Sequence, residues 1–296
     1  MFPSFLTTIL FSLSVVFASR SAKLLGGARA NLSRISLATA FLAVWAHGFG
    51  AGLRGPAFWW FFFSGCVGFG LGDMALFASL PRIGPRLAIL LTQCLAAPLA
   101  AIAERAWLGT TLTAAELWCA VVILVGVGVA LAPDRGAKIP RRVFWIGVLA
   151  GVGSAVGQGM GAVISRKANE VATLAHFPID GGSAAYQRII GGLLVTLIAF
   201  IFLRKQKTDT APQWRAAAPW TVANALAGPA IGVGCFQWAL ATTPSGVVLP
   251  IIATSPVVTI ILARFIDGTR PTRRAVAGGI IAVAGAVVLK LAHAGG

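Results

Sequence analysis

The chain reads as an all-α membrane protein, ten transmembrane helices laid out as two inverted five-helix repeats. Three observations lead there. Ten apolar stretches, each about long enough to cross a bilayer, fill the 296 residues; a hydrocarbon core about 30 Å thick takes about 20 mostly apolar residues of helix. Hydrophobic residues make up 57% of the chain and charged ones 11%, against roughly 25% charged in ordinary soluble domains. That composition cannot supply a water-facing surface. The pattern of the first five stretches then returns in the second five.

Helix one, over 2–19, begins at once on apolar residues with no charged n-region ahead of it. Ser19-Arg20-Ser21-Ala22 is a poor cleavage site, so the segment reads as a retained helix rather than a signal peptide. Gly26-Gly27 turns the chain into helix two, 33–51, and Gly55-Pro56 into helix three, 57–80. The stretch from Pro81 to Pro85 leads to helix four, 85–108, and a short turn to helix five, 114–132. Pro133 to Pro140 separates the halves. Helix six follows over 143–165, then Asp180-Gly181-Gly182 opens helix seven, 184–203. Ala211-Pro212 precedes helix eight, 217–240; helix nine covers 245–266, and Pro271 precedes helix ten, 273–292. Every join is built from turn formers and charges, and none is long enough to hold a soluble domain.

The repeat shows at several anchors in the same order. Gly68-xxx-Gly72 answers Gly228-xxx-Gly232 at an offset of 160, and Pro98 answers Pro256 at 158. The turn Thr110-Thr111-Leu112-Thr113 answers Thr269-Arg270-Pro271-Thr272, and Gly126 answers Gly285, both at 159. Arg34 and Arg188 open the second helix of each half, 154 apart. The halves are 1–136 and 137–296. An odd number of helices per half forces opposite insertion, a recurring design in which a substrate site lies near the midplane between the repeats.

The net charge of +16 does not indicate nucleic acid, because the basic residues sit singly and in short groups at helix ends rather than as one contiguous patch. Eighteen of the 24 Lys and Arg fall on one side of the predicted topology, and the positive-inside rule places that side in the cytoplasm and both termini outside. Cys66, Cys94, Cys119 and Cys235 lie in apolar stretches without CxxC spacing and read as small buried hydrophobes. The three histidines are scattered, and HExxH, GxSxG and Walker sequences are absent. No cofactor, no metal and no enzyme chemistry is implied. The partners expected are a small-molecule substrate, the lipid bilayer and protons as a candidate coupling ion. The assembly expected is a monomer or a homodimer.

Gly72-Asp73-Met74-Ala75-Leu76-Phe77-Ala78-Ser79-Leu80-Pro81-Arg82-Ile83-Gly84-Pro85-Arg86 is followed by Pro98 and by a Leu-Gly-x-x-Leu-Thr turn at 108–113. The second half repeats this from Gln237-Trp238-Ala239-Leu240 through Ser255-Pro256 to Arg270-Pro271-Thr272, after a helix six that ends on Ser165-Arg166-Lys167. Over nearly its whole length the chain resembles the EamA branch of the drug/metabolite transporter superfamily. The resemblance implies an inner-membrane transporter of amino acids, other metabolites or drugs, mostly outward. It further implies a central cavity among helices one to four and six to nine, five and ten outside it, and cytoplasmic termini. Helix one departs from the pattern, with Ser12, Ser14 and Ser19 in place of a Trp-Gly pair, and Thr110 and Thr269 stand where the family has Glu. Small multidrug members use a glutamate in helix one for proton antiport; no acid stands there, so that mechanism does not carry over.

Asp73 is the one acid deep in a span. A carboxylate at a helix centre costs about 2.5–3.5 kcal/mol on insertion scales and so faces a cavity or a partner. Two readings stay open: a coupling or substrate-binding carboxylate, or a fixed ion pair with an arginine such as Arg34, Arg86 or Arg188. Arg34 and Arg188 are candidate grips for an anionic group, or cations snorkelling to headgroups. Glu104, beside Arg105, is a candidate coupling acid or a local ion-pair partner. Gln93, Gln158, Asn224 and Gln237 are amides that either join helices or line a substrate path. Trp238 and Tyr186 are candidate stacking groups; Trp59, Trp60, Trp118, Trp145 and Trp220 fit an interfacial belt. The function expected is secondary transport of a small metabolite such as an amino acid. The alternative is translocation of a lipid-linked or phosphorylated anion held by the membrane arginines.

Overall fold

A computed structural model describes residues 1–131, 140–203, 212–267 and 272–294. The boundary between the expected halves at 136/137 lies outside the described residues, as do the basic joins 132–139, 204–211 and 268–271. Among the described residues ten long helices form the bundle. The first half holds α1 (Phe2–Leu25), α2 (Gly27–Gly48), α3 (Phe58–Gly84), α4 (Leu87–Leu108) and α5 (Ala114–Leu131). The second holds α6 (Arg141–Leu174), α7 (Gly181–Leu203), α8 (Trp214–Thr242), α9 (245–267) and α10 (Arg273–Ala294). Eight of the ten are, by length and composition alone, able to cross a membrane; α2 and α10 are the two outside that set.

Local chemistry sets the joins. Gly26, at φ 81°, is the whole turn between α1 and α2, so α1 runs six residues past the end read from the sequence. Gly84, at φ 78°, breaks what would otherwise be one rod from α3 into α4; a left-handed φ suits glycine, which lacks the Cβ that would clash. Thr113 and Glu116 cap α5 reciprocally: the Thr113 N–H donates to Glu116 Oε2 at 2.8 Å, and the Glu116 N–H to Thr113 Oγ1 at 3.2 Å. That pair of bonds satisfies backbone donors that a helix start leaves open. Thr272, the counterpart of Thr113, accepts from the Ala275 N–H at 3.2 Å and caps α10. Helix α6 overshoots its expected end and continues to Leu174. The charged Arg166-Lys167 is no stop, because both side chains find carboxylates, Glu104 and Glu170.

The packing partners exchange under a swap of the halves. α4 packs on α6 as α9 packs on α1; α3 packs on α6 and α7 as α8 packs on α1 and α2. α2 with α7, and α5 with α10, pair across the relation. Glycines bring equivalent pairs close. A Cβ on Gly157 would stand 2.6 Å from Gly72 Cα, and one on Gly161 would stand 3.0 Å from Gly68 Cα, joining α6 to α3. On the other side a Cβ on Gly232 would meet Phe11 at 2.9 Å, joining α8 to α1. The third helix of each half also carries a π-helical segment, Cys66–Gly72 in α3 and Leu226–Ala230 in α8. α5 and α10 lie against one another at the edge, and residues such as Trp118 and Ile280 turn outward, an apolar face that suits lipid.

Candidate functional site

One cavity of about 240 Å³ lies among α1–α4 and α6–α9, and α5 and α10 contribute nothing to its lining. Its charged and amide walls are Arg34 of α2, Asp73 of α3, Gln93 of α4, Gln158 of α6 and Arg188 of α7. Each stands inside a helix rather than in a loop, so the spacing of the polar groups follows from how the rods are packed. Both π-helical segments reach the cavity, through Gly68 and Phe69 on one side and Gly228 and Pro229 on the other. A π turn takes a helix out of its regular register, and such turns cluster at functional sites.

Arg34 Nη2 lies 3.3 Å from Asp73 Oδ2, while Arg34 Nε donates to Asn31 Oδ1 at 2.8 Å. The pair ties α2 to α3 and is partly open, with side-chain exposures of 20% and 16%. Arg188 is different. It is buried, and its Nε and Nη1 have no hydrogen-bond partner. Its guanidinium carbon lies over the ring of Phe69 at 5.1 Å and of Phe236 at 5.4 Å. The absence of side chains at Gly68 and Gly161 gives it room.

The other candidates sit elsewhere. Asn224 is buried behind the wall, where its Oδ1 accepts from the Ser14 hydroxyl at 2.7 Å. Gln237 is buried with neither end of its amide partnered. Trp238 is half exposed and packs against Gly181 at the start of α7, outside the lining. Tyr186 meets His47 edge-on at 5.4 Å. Glu104 is held in a polar tie at the end of the bundle where α1 starts. Arg166 Nε donates to it at 3.0 Å and the Ser245 N–H at 2.7 Å; the Ser245 hydroxyl donates as well, and Arg166 Nη1 donates on to the Leu240 carbonyl at 2.8 Å. This links α4, α6, α8 and α9. The Arg86 side chain lies outside what the structure describes.

A second tie at that same end joins the halves through α7. The Asp180 carboxylate accepts from the Ser183 N–H at 2.9 Å and from Trp45 Nε1 at 3.1 Å. Ser183 Oγ accepts from the Ala51 N–H at 2.9 Å, and Gln187 Nε2 donates to the Gly52 and Arg54 carbonyls. Partial burial pushes the Asp180 carboxyl up, but the hydrogen bonds from Ser183, Trp45 and the Gly182 N–H outweigh it and hold the group below its ordinary value.

The hydroxyl groups of α1 have partners on other helices. Thr8, Ser12 and Thr7 share one side of the helix and reach the carbonyls of Ile251 at 3.2 Å, Ser255 at 2.8 Å and Gly232 at 3.4 Å. The i, i+4, i+8 run Ser4, Thr8, Ser12 is the signal that could have found this stripe. Ser14, with Phe11 and Val15, turns to the cavity.

The model of the EamA-like transporter family matches residues 145–291. Among solved structures 29 chains match. One of them, a crystal structure, is similar over 98% of this chain and 96% of its own, with a TM-score of 0.77 and 19% identity; at that identity the likeness speaks for the fold. No curated protein matches the chain.

Proposed function

We propose, from the match of residues 145–291 to the EamA-like transporter family, an inner-membrane secondary transporter of small metabolites such as amino acids. It exports them by alternating access around the cavity between α1–α4 and α6–α9. The observation that carries this reading is the convergence of Arg34, Asp73, Gln93, Gln158 and Arg188 on one cavity in an otherwise apolar bundle. Ionisable groups within a membrane are costly and mark substrate or ion paths. Both halves supply walls, so rocking one half against the other changes which end is open. The two polar ties at the α1-start end are the contacts such a motion breaks there.

Asp73 is the coupling group in this reading, because it faces the cavity while Glu104 is engaged in the tie. Flux in proteoliposomes tests it, with radiolabelled amino acids and related metabolites, with and without a pH gradient, beside Asp73→Asn. Flux that follows the gradient and is lost in the variant supports proton coupling. Gradient-independent flux that survives the substitution makes the protein a facilitator. No flux for any compound would sink the metabolite reading in favour of a lipid-linked or phosphorylated cargo.

A further inference from the structure

The charged walls of the cavity do not cancel. Arg34 and Asp73 neutralise one another across 3.3 Å. Arg188 has no ion-pair partner among the described residues, and at 5% exposure it carries two donor nitrogens, Nε and Nη1, that meet no acceptor. The rings of Phe69 and Phe236 stabilise its charge through their faces, but a ring face is a poor substitute for an oxygen in the plane of the guanidinium fork. Gln93 and Gln158 add no charge. One positive charge therefore stays uncompensated beside a space whose remaining walls are Ser14, Ser255 and otherwise apolar groups, Val15, Leu76 and Leu249 among them. At about 240 Å³ the cavity has room for a small solute.

We propose that this cavity selects a small monoanion, a carboxylate carried on a compact apolar body, over the matching zwitterion or amine. The carboxylate pairs with the guanidinium of Arg188, which lines the cavity and whose Nε and Nη1 have no acceptor of their own, and the apolar body lies against the aliphatic and phenyl walls. A zwitterion brings an ammonium whose only carboxylate in the cavity, Asp73, is already engaged by Arg34. Burying that ammonium without a counter-charge opposes binding. An amine lacks the carboxylate altogether and adds like charge. The inference rests on the reading above in taking this cavity as the cargo site, and it narrows that reading's small metabolites from amino acids to monocarboxylates.

Three compounds of nearly one shape test it: 4-methylpentanoate, leucine and 3-methylbutylamine, at pH 7, by titration calorimetry on the purified wild-type protein and by uptake into proteoliposomes. The expected result is 4-methylpentanoate binding at least about tenfold tighter than leucine, with no heat from the amine, and that preference lost in Arg188→Gln. Arg188→Lys, which keeps the charge without the fork, retains part of the binding and serves where the glutamine variant does not fold. Leucine or the amine binding as tightly as the acid overturns the monoanion inference and leaves the transporter reading standing. Binding of none of the three overturns it too. Tight binding of the acid without uptake leaves the anion site in place and removes the transporter reading instead.

Discussion

A Cβ placed on Gly68 would stand 2.5 Å from Nη2 of Arg188. The contact is with the far end of a flexible side chain, so the guanidinium can move while the backbone stays. The glycine thus positions the arginine rather than the helix. Gly68→Ala is expected to keep the melting temperature near that of the wild type and to weaken 4-methylpentanoate binding by about tenfold, ~1.4 kcal/mol. Gly157→Ala is the contrasting case, since its Cβ would meet backbone at Gly72 at 2.6 Å. It should lower the melting temperature, and calorimetry beside thermal unfolding separates the two behaviours.

Arg34 should matter to the anion site without touching the anion. Arg34→Gln releases Asp73 from its 3.3 Å pairing, and the remaining cation facing that carboxylate in the cavity is Arg188. Asp73 then competes with the ligand as a built-in anion. Affinity should fall about tenfold in Arg34→Gln and recover in the double variant with Asp73→Asn, a coupling of the kind double-mutant cycles read. A double variant that binds no better than the single one would mean that Arg34 holds the ligand itself.

The Glu104 tie is expected to act on stability. Its side chain is 2% exposed and pairs with Arg166 at 3.0 Å. Removing one partner of a buried pair strands the other charge, at about 3–5 kcal/mol. Glu104→Ala and Arg166→Ala should both unfold several degrees early in detergent. Glu104→Gln, still an acceptor for the Ser245 N–H, should lose less. A Glu104→Gln protein of full stability whose uptake no longer responds to pH would instead make Glu104 the coupling acid.

Asp180 gives the second tie a pH dependence whose sign follows from its hydrogen bonds. Its folded-state pKa is depressed, so its contribution is complete above the ordinary carboxylate value near ~3.9 and is lost as the pH falls through the lower folded value. Protection factors at residues 49–57, which remove the intrinsic pH dependence of hydrogen exchange, should fall on acidification in that window. In Asp180→Asn they should be lower at neutral pH and flat through the window. Protection factors in the wild type that ignore pH there would show that the loop is held by Ser183 and Gln187 alone.

Much of this architecture is legible in the amino acids, because a membrane forbids unpaired backbone and forces long apolar helices. Glycine, proline and charge then mark the joins, and Gly84 does so at a single residue. Asp73, Arg34, Arg188, Gln93 and Gln158 stand out for a related reason: polar groups in apolar spans are few, and the fold gathers these five at one cavity. What stays hidden is rotation about each helix axis. Lipid and protein interior are equally apolar, so no hydrophobic stripe tells which side of α8 turns inward, and Trp238 turns out while Phe236 turns in. The π segments are equally silent, since Cys66–Gly72 and Leu226–Ala230 have compositions that suit an ordinary helix. Glu104 and Arg166 lie 62 positions apart, and only tertiary packing pairs them.

The unsatisfied state of Arg188 also bears on the order of events in a transport cycle. In the proposed cycle an empty carrier holds a guanidinium with two donor nitrogens lacking acceptors, and closing over it shuts out the water that would otherwise serve. A loaded carrier closes over a neutralised pair. The return of the empty form should therefore be the slow leg, so that counterflow, one anion traded for another, outruns one-way efflux from loaded vesicles. Substrate added to the far side should accelerate release of labelled substrate from the near side. In Arg188→Gln that acceleration should vanish, because the empty form no longer encloses a bare charge.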